Sequence, residues 1–393
     1  MSRLSDRVNR VQPSLTLVIT AKAAELKRAG KDVISLGAGE PDFDTPDHIK
    51  TAAKNAIDAG QTRYTPVDGT PELKQAIIDK FERDNQLTYQ TDEILVSSGG
   101  KQSFYNLCQG LLNDGDEVII PAPYWVSYPD MALLAGGTPV VLKTGIEQAY
   151  KITADQLRQA ITPKTKMMVI NSPSNPTGAI YTQAELQAIA EVLLAHPEIV
   201  IASDDMYEHI ILGETPFTNI LQVCPQLKDR TVVMNGVSKA YAMTGWRIGF
   251  AGGPKDLIAA MRKVQSQSTS NPCSISQAAS VEALNGPQAC IDTMVTAFKE
   301  RHQFVLETAN AIQGVQCIAA QGAFYAFLDV REAMKHKGFD QDADFATALL
   351  EQQEVAAVPG SGFGAPGYLR ISFATSLDHL KQALARLKAF MDT

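Results

Sequence analysis

The stretch 231–253 holds the side chain with the clearest chemical potential, a lysine among apolar neighbours. The apolar, β-branched run 231–234 is typical of a buried strand, Asn235-Gly236 ends it, and Lys239 follows. Burial disfavours an ammonium ion and lowers its pKa, so this lysine could supply a nucleophilic amine near neutral pH. A solvated lysine without any such role is the alternative.

Arg247, in the same stretch, and the glycine-containing run 98–101 could each bind an anion. Arg247 begins a second apolar run, 248–251, and its guanidinium suits a phosphate or a carboxylate, although a structural ion pair would also explain it. The run 98–101, Ser-Gly-Gly-Lys, precedes a helix whose free amides and positive end favour a phosphate. An ordinary glycine turn is the alternative there.

Two polar loops follow predicted strands. Prolines in the loop 171–178 restrict its backbone and hold Asn171 and Asn175 in set directions, as they would in any rigid polar loop. Asp204 and Tyr207 follow the strand 199–203, where a buried carboxylate needs a cationic partner or a raised pKa. The six histidines do not cluster with carboxylates at ligand spacing, so we predict no metal site.

Alternating strands and helices must position these side chains. The order from residue 94 onward predicts an α/β fold with a mainly parallel sheet covered by helices on both faces. Ligands of such sheets bind beyond the carboxyl ends of the strands. We therefore expect the breaks at 98–101, 122–125, 171–178, 204–207 and 235–239 to converge.

A different pattern follows residue 286. A long helix, 287–312, leads to an α+β section with strands near 315–318, 323–329 and 368–373 and a final helix, 377–391. We predict a large domain, 46–286, and a small domain made of 1–45, with its N-terminal arm, plus 287–393.

Composition limits the classes of function. A net charge of −8 and a pI near 5.4 argue against nucleic-acid and membrane-surface partners, and no apolar run has the length of a membrane span. Five cysteines without a CxxC pair indicate neither a disulfide framework nor a zinc site. We expect a cytoplasmic protein.

The converging side chains together suit pyridoxal 5′-phosphate. A lysine can form a Schiff base with it, an aspartate can keep its ring nitrogen protonated, and asparagine and tyrosine can hydrogen-bond its phenolic oxygen. A helix start and an arginine can hold its phosphate, and an indole can stack on its ring.

Eight motifs carry a family resemblance over nearly the full length. SLGAGEPDFDTP, YTPVDGTPELK, GGKQ, PAPYWVSYP, NSPSNPTG, SDDMYEH, NGVSKAYAMTGWRIG and LRISFATS occur in this order. The chain resembles class I aminotransferases of pyridoxal-phosphate fold type I, in the Iβ subgroup of aspartate aminotransferases. The resemblance implies a seven-stranded sheet, pyridoxal 5′-phosphate as cofactor, amino acids and 2-oxo acids as substrates, and a homodimer with shared active sites.

The resemblance assigns a role to individual residues. Lys239 matches the catalytic Schiff-base lysine. The other cofactor-binding positions are Asp204, Tyr207, Asn175, Trp125, Gly99, Gly100, Lys101, Ser238, Arg247 and, from the neighbouring subunit, Tyr64. Substrate-binding positions are Arg370, assisted by Gly39 and Asn175, for the α-carboxylate, then Trp125, and Lys101, Ser14 and Thr16 for a distal carboxylate.

The sequence departs from the family pattern at two places. Gly236 stands where many relatives have a serine, which removes one phosphate-binding hydroxyl. The stretch 264–272 lacks the arginine that reads the distal carboxylate in the Iα subgroup, so Lys101 is the candidate for that contact. A structural lysine that caps the loop is the alternative.

The predicted reaction is ping-pong transamination between L-aspartate and 2-oxoglutarate. A bifunctional aspartate/prephenate aminotransferase is the nearest alternative, although Gln12 stands where such relatives often have a basic residue. A C–S lyase on the same fold is another. A ligand-sensing transcription factor would need a DNA-binding domain, and only about 12 residues precede Pro13. A nicotinamide-binding enzyme would need a G-x-G-x-x-G motif after the first strand, which is missing.

Overall fold

The computed structural model describes residues 3–11 and 15–392, without the side chain of Leu17. The helices in this part of the chain are α1 (Asp6–Asn9), α2 (Leu15–Arg28), α3 (Asp47–Asp58), α4 (Pro71–Asn85), α5 (Gly100–Leu111), α6 (Ser127–Leu134), α7 (Ala154–Ala160), α8 (Gln183–Leu194), α9 (Ile220–Val223), α10 (Lys255–Ser266), α11 (Ser274–Asn285), α12 (Ala289–Asn310), α13 (Arg331–Lys337), α14 (Asp342–Gln353) and α15 (Leu377–Asp392). The strands are β1 (Ile34–Ser35), β2 (Ile94–Ser97), β3 (Glu117–Ala122), β4 (Thr138–Lys143), β5 (Thr165–Asn171), β6 (Val200–Asp204), β7 (Thr231–Gly236), β8 (Gly249–Gly252), β9 (Tyr325–Asp329), β10 (Val355–Ala356), β11 (Val358–Pro359) and β12 (Tyr368–Ser372).

A seven-stranded sheet forms the centre of the fold, in the order β2-β8-β7-β6-β5-β3-β4. Strands β4, β3, β5, β6 and β7 pair in parallel, whereas β8 runs antiparallel to both of its neighbours. The expected α/β fold with a mainly parallel sheet is confirmed. The register pairs Asn171 with Asp204 and Asp204 with Met234, so the carboxyl ends of β5, β6 and β7 lie side by side.

Apolar side chains on both faces of the sheet explain its burial. Successive residues of a strand point to opposite faces, and here Val233 packs into one core while Val232 packs into another. Every residue of β2, β7 and β8 is buried. Strands that are apolar on both faces need helices on both sides, which is the layered arrangement the sequence predicted.

A second, antiparallel sheet has the order β11-β12-β9 and its own apolar core. It carries Arg370 on β12 and Tyr325 on β9. Helix α12 connects the two bodies, because Ile291 near its start packs into the core of the large sheet and Phe298 packs into the second core.

One predicted strand is wrong. Residues 315–318 do not form a strand, and Gln316 makes only an isolated bridge with Asp329. The side chain of Asn310 accounts for this, because it accepts from the amide and donates to the carbonyl of Cys317, both at 2.9 Å. These groups are then unavailable to a neighbouring strand.

None of the helices in the described ranges combines the length and apolar character needed to cross a membrane.

Candidate active site

A cavity of about 270 Å³ lies beyond the carboxyl ends of the large sheet. All five loop breaks contribute to it, so the expected convergence is confirmed. Its walls consist of Thr16, Gly39, Gly100, Lys101, Trp125, Val126, Tyr128, Asn171, Asn175, Asp204, Met206, Tyr207, Ser238, Lys239, Thr244, Arg247, Tyr325 and Arg370.

Lys239 places an amine in this cavity, directly after β7. Its Nζ donates a hydrogen bond to the carbonyl of Gly39 and lies 5.9 Å from the ring centre of Phe324. Burial, followed by the charges of Arg370 and Arg247, lowers the pKa of Lys239 to about 8. A large neutral fraction is therefore present at mildly alkaline pH, as a nucleophile or base requires.

Asp204 ends β6 and places a carboxylate in the cavity. It accepts hydrogen bonds from the hydroxyl of Tyr128 and, at 3.2 Å, from the amide of Met206. It forms no ion pair with any residue that the structure describes. Burial raises the pKa of Asp204, so a cationic group of a ligand would find a favourable partner here.

Arg370 provides the opposite charge, a buried guanidinium that no carboxylate of the described residues pairs. It is 4% exposed, donates to Asn175 at 3.0 Å and to the carbonyl of Gly37 at 2.7 Å, and leaves its Nε without a partner. Within the described ranges no carboxylate pairs with it, and burial lowers its pKa. A buried charge needs a counter-ion, and a carboxylate matches the planar fork of N–H groups.

A second anion position surrounds the start of α5. Gly99 has φ +88°, and a Cβ there would lie 2.3 Å from Nη2 of Arg247, so only glycine lets the arginine approach. No side chain caps the first turn of α5, so its amides can bind a ligand. Ser238 is buried beside this position. The arrangement suits a phosphate.

The replacement of serine by Gly236 has a steric reason. A Cβ at this position would lie 3.0 Å from the carbonyl of Ile248 and 3.1 Å from Cα of Gly249. The close approach of β7 and β8 therefore favours glycine, whatever hydroxyl is lost.

Lys101 and Thr16 also line the cavity and contribute an ammonium and a hydroxyl group to it. The ammonium of Lys101 lies 5.1 Å from the ring centre of Trp125, and burial followed by the charge of Arg247 lowers the pKa of Lys101. The hydroxyl of Thr16 is buried without a partner among the described residues. Ser14, predicted beside them, lies outside the described residues.

Tyr207 also lines the cavity, next to residues that the sequence analysis missed. Its hydroxyl lies 2.8 Å from that of Tyr325, and burial, followed by the charge and hydrogen bond of Tyr325, raises its pKa far above the ordinary value. Tyr128, Met206 and Tyr325 were not predicted. Tyr128 lies in the quoted motif PAPYWVSYP, three residues after Trp125, whereas no local signal marks Tyr325.

Tyr64 lies elsewhere. Its side chain is 92% exposed, and it lines a separate surface cleft with Arg63, Thr65 and Ser274. The single chain therefore does not place Tyr64 in the cavity.

A group of three potential metal ligands, Asp84, Glu208 and His209, also lies outside the cavity. The buried ammonium of Lys80 forms an ion pair with Glu208 and lies 3.8 Å from Asp84. A lysine thus occupies the position of a cation between the carboxylates, and the cluster is a structural ion-pair network.

Comparisons with known proteins agree with this geometry. The family described as aminotransferase class I and II matches residues 31–387. The chain is 58% identical to the aspartate/prephenate aminotransferase of Nitrosomonas europaea, over 99% of this chain and 100% of that protein. It is 53% identical to the aspartate aminotransferase of Geobacillus stearothermophilus, with 99% of each covered. The crystal structure of the aspartate aminotransferase from Rhizobium meliloti superposes with a TM-score of 0.95 at 49% identity, covering 100% of this chain and 99% of that one.

A match of this extent, joined to a seven-stranded sheet whose strand ends enclose an amine of lowered pKa, places the chain in one group: it belongs to the class I and II aminotransferase family.

Proposed function

We propose that the protein transfers the amino group of L-aspartate to 2-oxoglutarate, with pyridoxal 5′-phosphate as its cofactor. The observation that carries the proposal is the charge pattern of one cavity. Among the described residues, it contains a carboxylate that no cation pairs at Asp204, a guanidinium that no carboxylate pairs at Arg370, and an amine of lowered pKa at Lys239. These are the complements of a protonated ring nitrogen, a substrate carboxylate and an aldehyde.

The residues present fit the cofactor. Lys239 would bond its aldehyde carbon, Asp204 would hold the ring nitrogen in its protonated form, and Trp125 would stack on the ring. Asn175 and Tyr207 would donate to the ring oxygen. The phosphate would be surrounded by Gly99, Gly100, Lys101, Ser238 and Arg247. When bound, the cofactor supplies an electron sink and a temporary carrier of the amino group.

Arg370 would fix the α-carboxylate of the substrate, assisted by Asn175 and Gly39. The guanidinium lies 4.5 Å from the ring centre of Tyr325, a contact that holds it in place. Its Nε has no partner among the described residues and is therefore available to a planar anion. Lys101, Thr16 and Ser14 would receive the distal carboxylate, which explains a preference for dicarboxylic substrates. With the substrate held at both ends, its Cα–H bond has a fixed orientation.

Lys239 would then move the proton. Its amine, with a pKa that burial lowers to about 8 and therefore a larger neutral fraction than that of an exposed lysine, takes the proton from the substrate Cα as a general base. The charges of Arg370 and Arg247 hold the pKa low and so keep the amine available. In the second half of the cycle the ammonium returns a proton to the Cα of the product.

We also propose the domain division 46–286 and 1–45 plus 287–393, with Arg370 moving as the small domain closes and excludes water. The second apolar core and the passage of α12 between the two cores support this division. A cytoplasmic location remains a prediction from the cysteines, all five of which are free.

A homodimer is the proposed assembly, with Tyr64 reaching the cofactor phosphate of the neighbouring subunit. An aromatic side chain that is 92% exposed in a cleft supports an intersubunit contact. The test mixes two variants, Tyr64→Ala and Lys239→Ala. A hybrid dimer would contain one intact site with Lys239 from one chain and Tyr64 from the other, so mixing should restore tight cofactor binding and activity. A lack of restoration in verified hybrids would contradict the shared site.

Prephenate is a second candidate substrate. The relative at 58% identity is named an aspartate/prephenate aminotransferase, and so is one from Cereibacter sphaeroides at 56%. Gln12, the residue at issue in the sequence, lies outside the described residues. Incubation with aspartate and prephenate, with detection of arogenate, decides between the two activities.

The primary experiment is a substrate panel on cofactor-loaded protein. Oxaloacetate should form from aspartate beyond one equivalent per active site only when 2-oxoglutarate is present, whereas pyruvate and ammonia from cystathionine without an acceptor would indicate a C–S lyase. Replacement of Lys101 by Met should raise the KM for aspartate about 10-fold or more, as expected for the loss of a charged hydrogen bond, and leave the KM for alanine nearly unchanged. Replacement of the exposed Lys164 by Met is the control. Equal effects on aspartate and alanine would remove Lys101 from the distal site.

A further inference from the structure

We propose that Tyr325 is a positioning residue: its buried hydroxyl donates a hydrogen bond to Tyr207 and thereby directs the Tyr207 proton at the cofactor oxygen. This inference rests on the proposed function, since it needs the cofactor in the cavity. It adds a residue on the second sheet to the site, 118 positions away from its partner in the chain.

The hydroxyl of Tyr325 has little choice of partner. The side chain is fully buried on β9, and its hydroxyl lies 2.8 Å from that of Tyr207. On another side, a Cβ added at Gly39 would lie 2.9 Å from the same oxygen. Backbone at Gly39 therefore closes the space around the hydroxyl, and the carbonyl of Gly39 already accepts from Lys239.

Either hydroxyl can donate in the empty site, and with the cofactor bound the proton count fixes the direction of the hydrogen bond. Each tyrosine carries one donor proton. If Tyr207 donates to the cofactor oxygen, its own oxygen must accept, and Tyr325 is the donor in place. Without Tyr325 the Tyr207 hydroxyl could rotate, and a chain of donors that polarise one another would be broken.

Arg370 gives this chain a link to the substrate. Its guanidinium lies over the ring of Tyr325, 4.5 Å from the centre. A cation on the ring face draws electron density from the phenol and makes the hydroxyl a better donor. Tyr325 is thus in contact with the proposed carboxylate site on one side and, through Tyr207, with the cofactor site on the other.

The charged and titratable groups around the tyrosine pair come from several elements. They are Arg370 on β12, Asp204 at the end of β6 and Tyr128 on α6. Lys239, after β7, interacts with Asp204 and Arg370 and also with the charges of Glu40 and Arg247. None of them is changed by Tyr325→Phe, which removes a single oxygen and keeps the ring under Arg370.

The test follows the absorption of bound pyridoxal 5′-phosphate as the pH is varied. A hydrogen-bond donor to an anionic oxygen lowers the basicity of that oxygen. When the donor is weakened, the oxygen becomes more basic, and a proton shared with it stays bound up to a higher pH. Tyr325→Phe should raise the midpoint of the absorption change by about 0.5–1 pH unit, the effect of one hydrogen bond. It should also weaken cofactor binding several-fold.

A double-mutant cycle separates positioning from a general structural effect. In a Tyr207→Phe background, Tyr325→Phe should not move the midpoint further. Tyr150→Phe is the matched control, because Tyr150 is also buried, packs edge-on against Phe327 and donates to a backbone carbonyl, and it should leave the midpoint unchanged.

The outcomes are distinguishable. If the wild-type protein develops no pH-dependent cofactor absorption that Lys239→Ala abolishes, the proposed function fails. If that absorption is present and Tyr325→Phe has the wild-type midpoint, or shifts it equally with and without the Tyr207 hydroxyl, the positioning role of Tyr325 is overturned.

Discussion

Replacing Lys239 by Met should make the cofactor-free protein less sensitive to pH. Burial lowers the pKa of Lys239 from 10.5 to about 8. Between these two values the unfolded chain binds more protons than the folded one, so the free energy of unfolding rises with pH across this window. Below pH 8 the folded state holds a buried ammonium, at a cost of about 3 kcal/mol relative to the unfolded chain.

We expect two differences in the free energy of unfolding between the wild type and Lys239→Met. The variant lacks the buried charge but also the hydrogen bond to Gly39, so we expect a net gain of about 1–2 kcal/mol at pH 7. From pH 7.5 to 9.5 the free energy of unfolding of the wild type should rise by about 2 kcal/mol relative to that of the variant. Subtracting the free energy of unfolding of the variant from that of the wild type at each pH removes the contribution of groups that titrate alike in both proteins.

Denaturant unfolding of the cofactor-free proteins at a series of pH values measures this difference. Lys164→Met, at an exposed position, should follow the wild-type curve. Parallel curves for wild type and Lys239→Met would refute the reasoning, because they would mean that the amine has the same pKa in the folded and the unfolded states.

Three further results are expected. Arg370→Lys should lower kcat/KM for aspartate about 10–100-fold, because an ammonium cannot form the paired hydrogen bonds of a guanidinium; unchanged steady-state kinetics would contradict a carboxylate contact. Gly99→Ala should weaken cofactor binding at least 10-fold, since its Cβ would collide with Arg247 at a φ that costs about 1 kcal/mol or more; titration of the apoprotein with cofactor measures this, and unaltered affinity would count against a phosphate at α5. Asp205→Asn should stabilise the protein above pH 8, because burial and Glu208 raise the pKa of Asp205 to about 8 and the folded state loses stability as pH rises toward that value; thermal unfolding at pH 6 and pH 9 tests it, and a stability gain confined to pH 6 would be the wrong sign.

The sequence predicts the large sheet well because its signals are local. Thr231–Gly236 is apolar and β-branched and ends at glycine, so the strand and the position of Lys239 after it can be inferred without tertiary contacts. The rule that parallel strands end at one edge then brings Asp204 and Lys239 together. The order of the strands and the antiparallel direction of β8 were not inferred, since apolar runs reveal neither a strand's neighbours nor its direction.

Features set by distant contacts escaped prediction. The hydrogen bond between Tyr207 and Tyr325 joins the turn after β6 to β9 of the second sheet, and neither residue's neighbours in sequence reveal it. The strand expected at 315–318 was lost because one asparagine side chain, on Asn310, binds both backbone groups of Cys317. Local pattern therefore specifies elements, whereas side-chain competition for the backbone decides some of them.

The most direct measurement of the central claim is reduction of the cofactor-loaded protein with borohydride, followed by peptide mass mapping. If Lys239 bonds the aldehyde carbon, one pyridoxyl-phosphate mass should become fixed per chain, on the peptide that contains Lys239, and the Lys239→Ala protein should retain none. Stoichiometric attachment to another lysine, such as Lys101, or complete release of cofactor from the reduced wild-type protein would contradict the account.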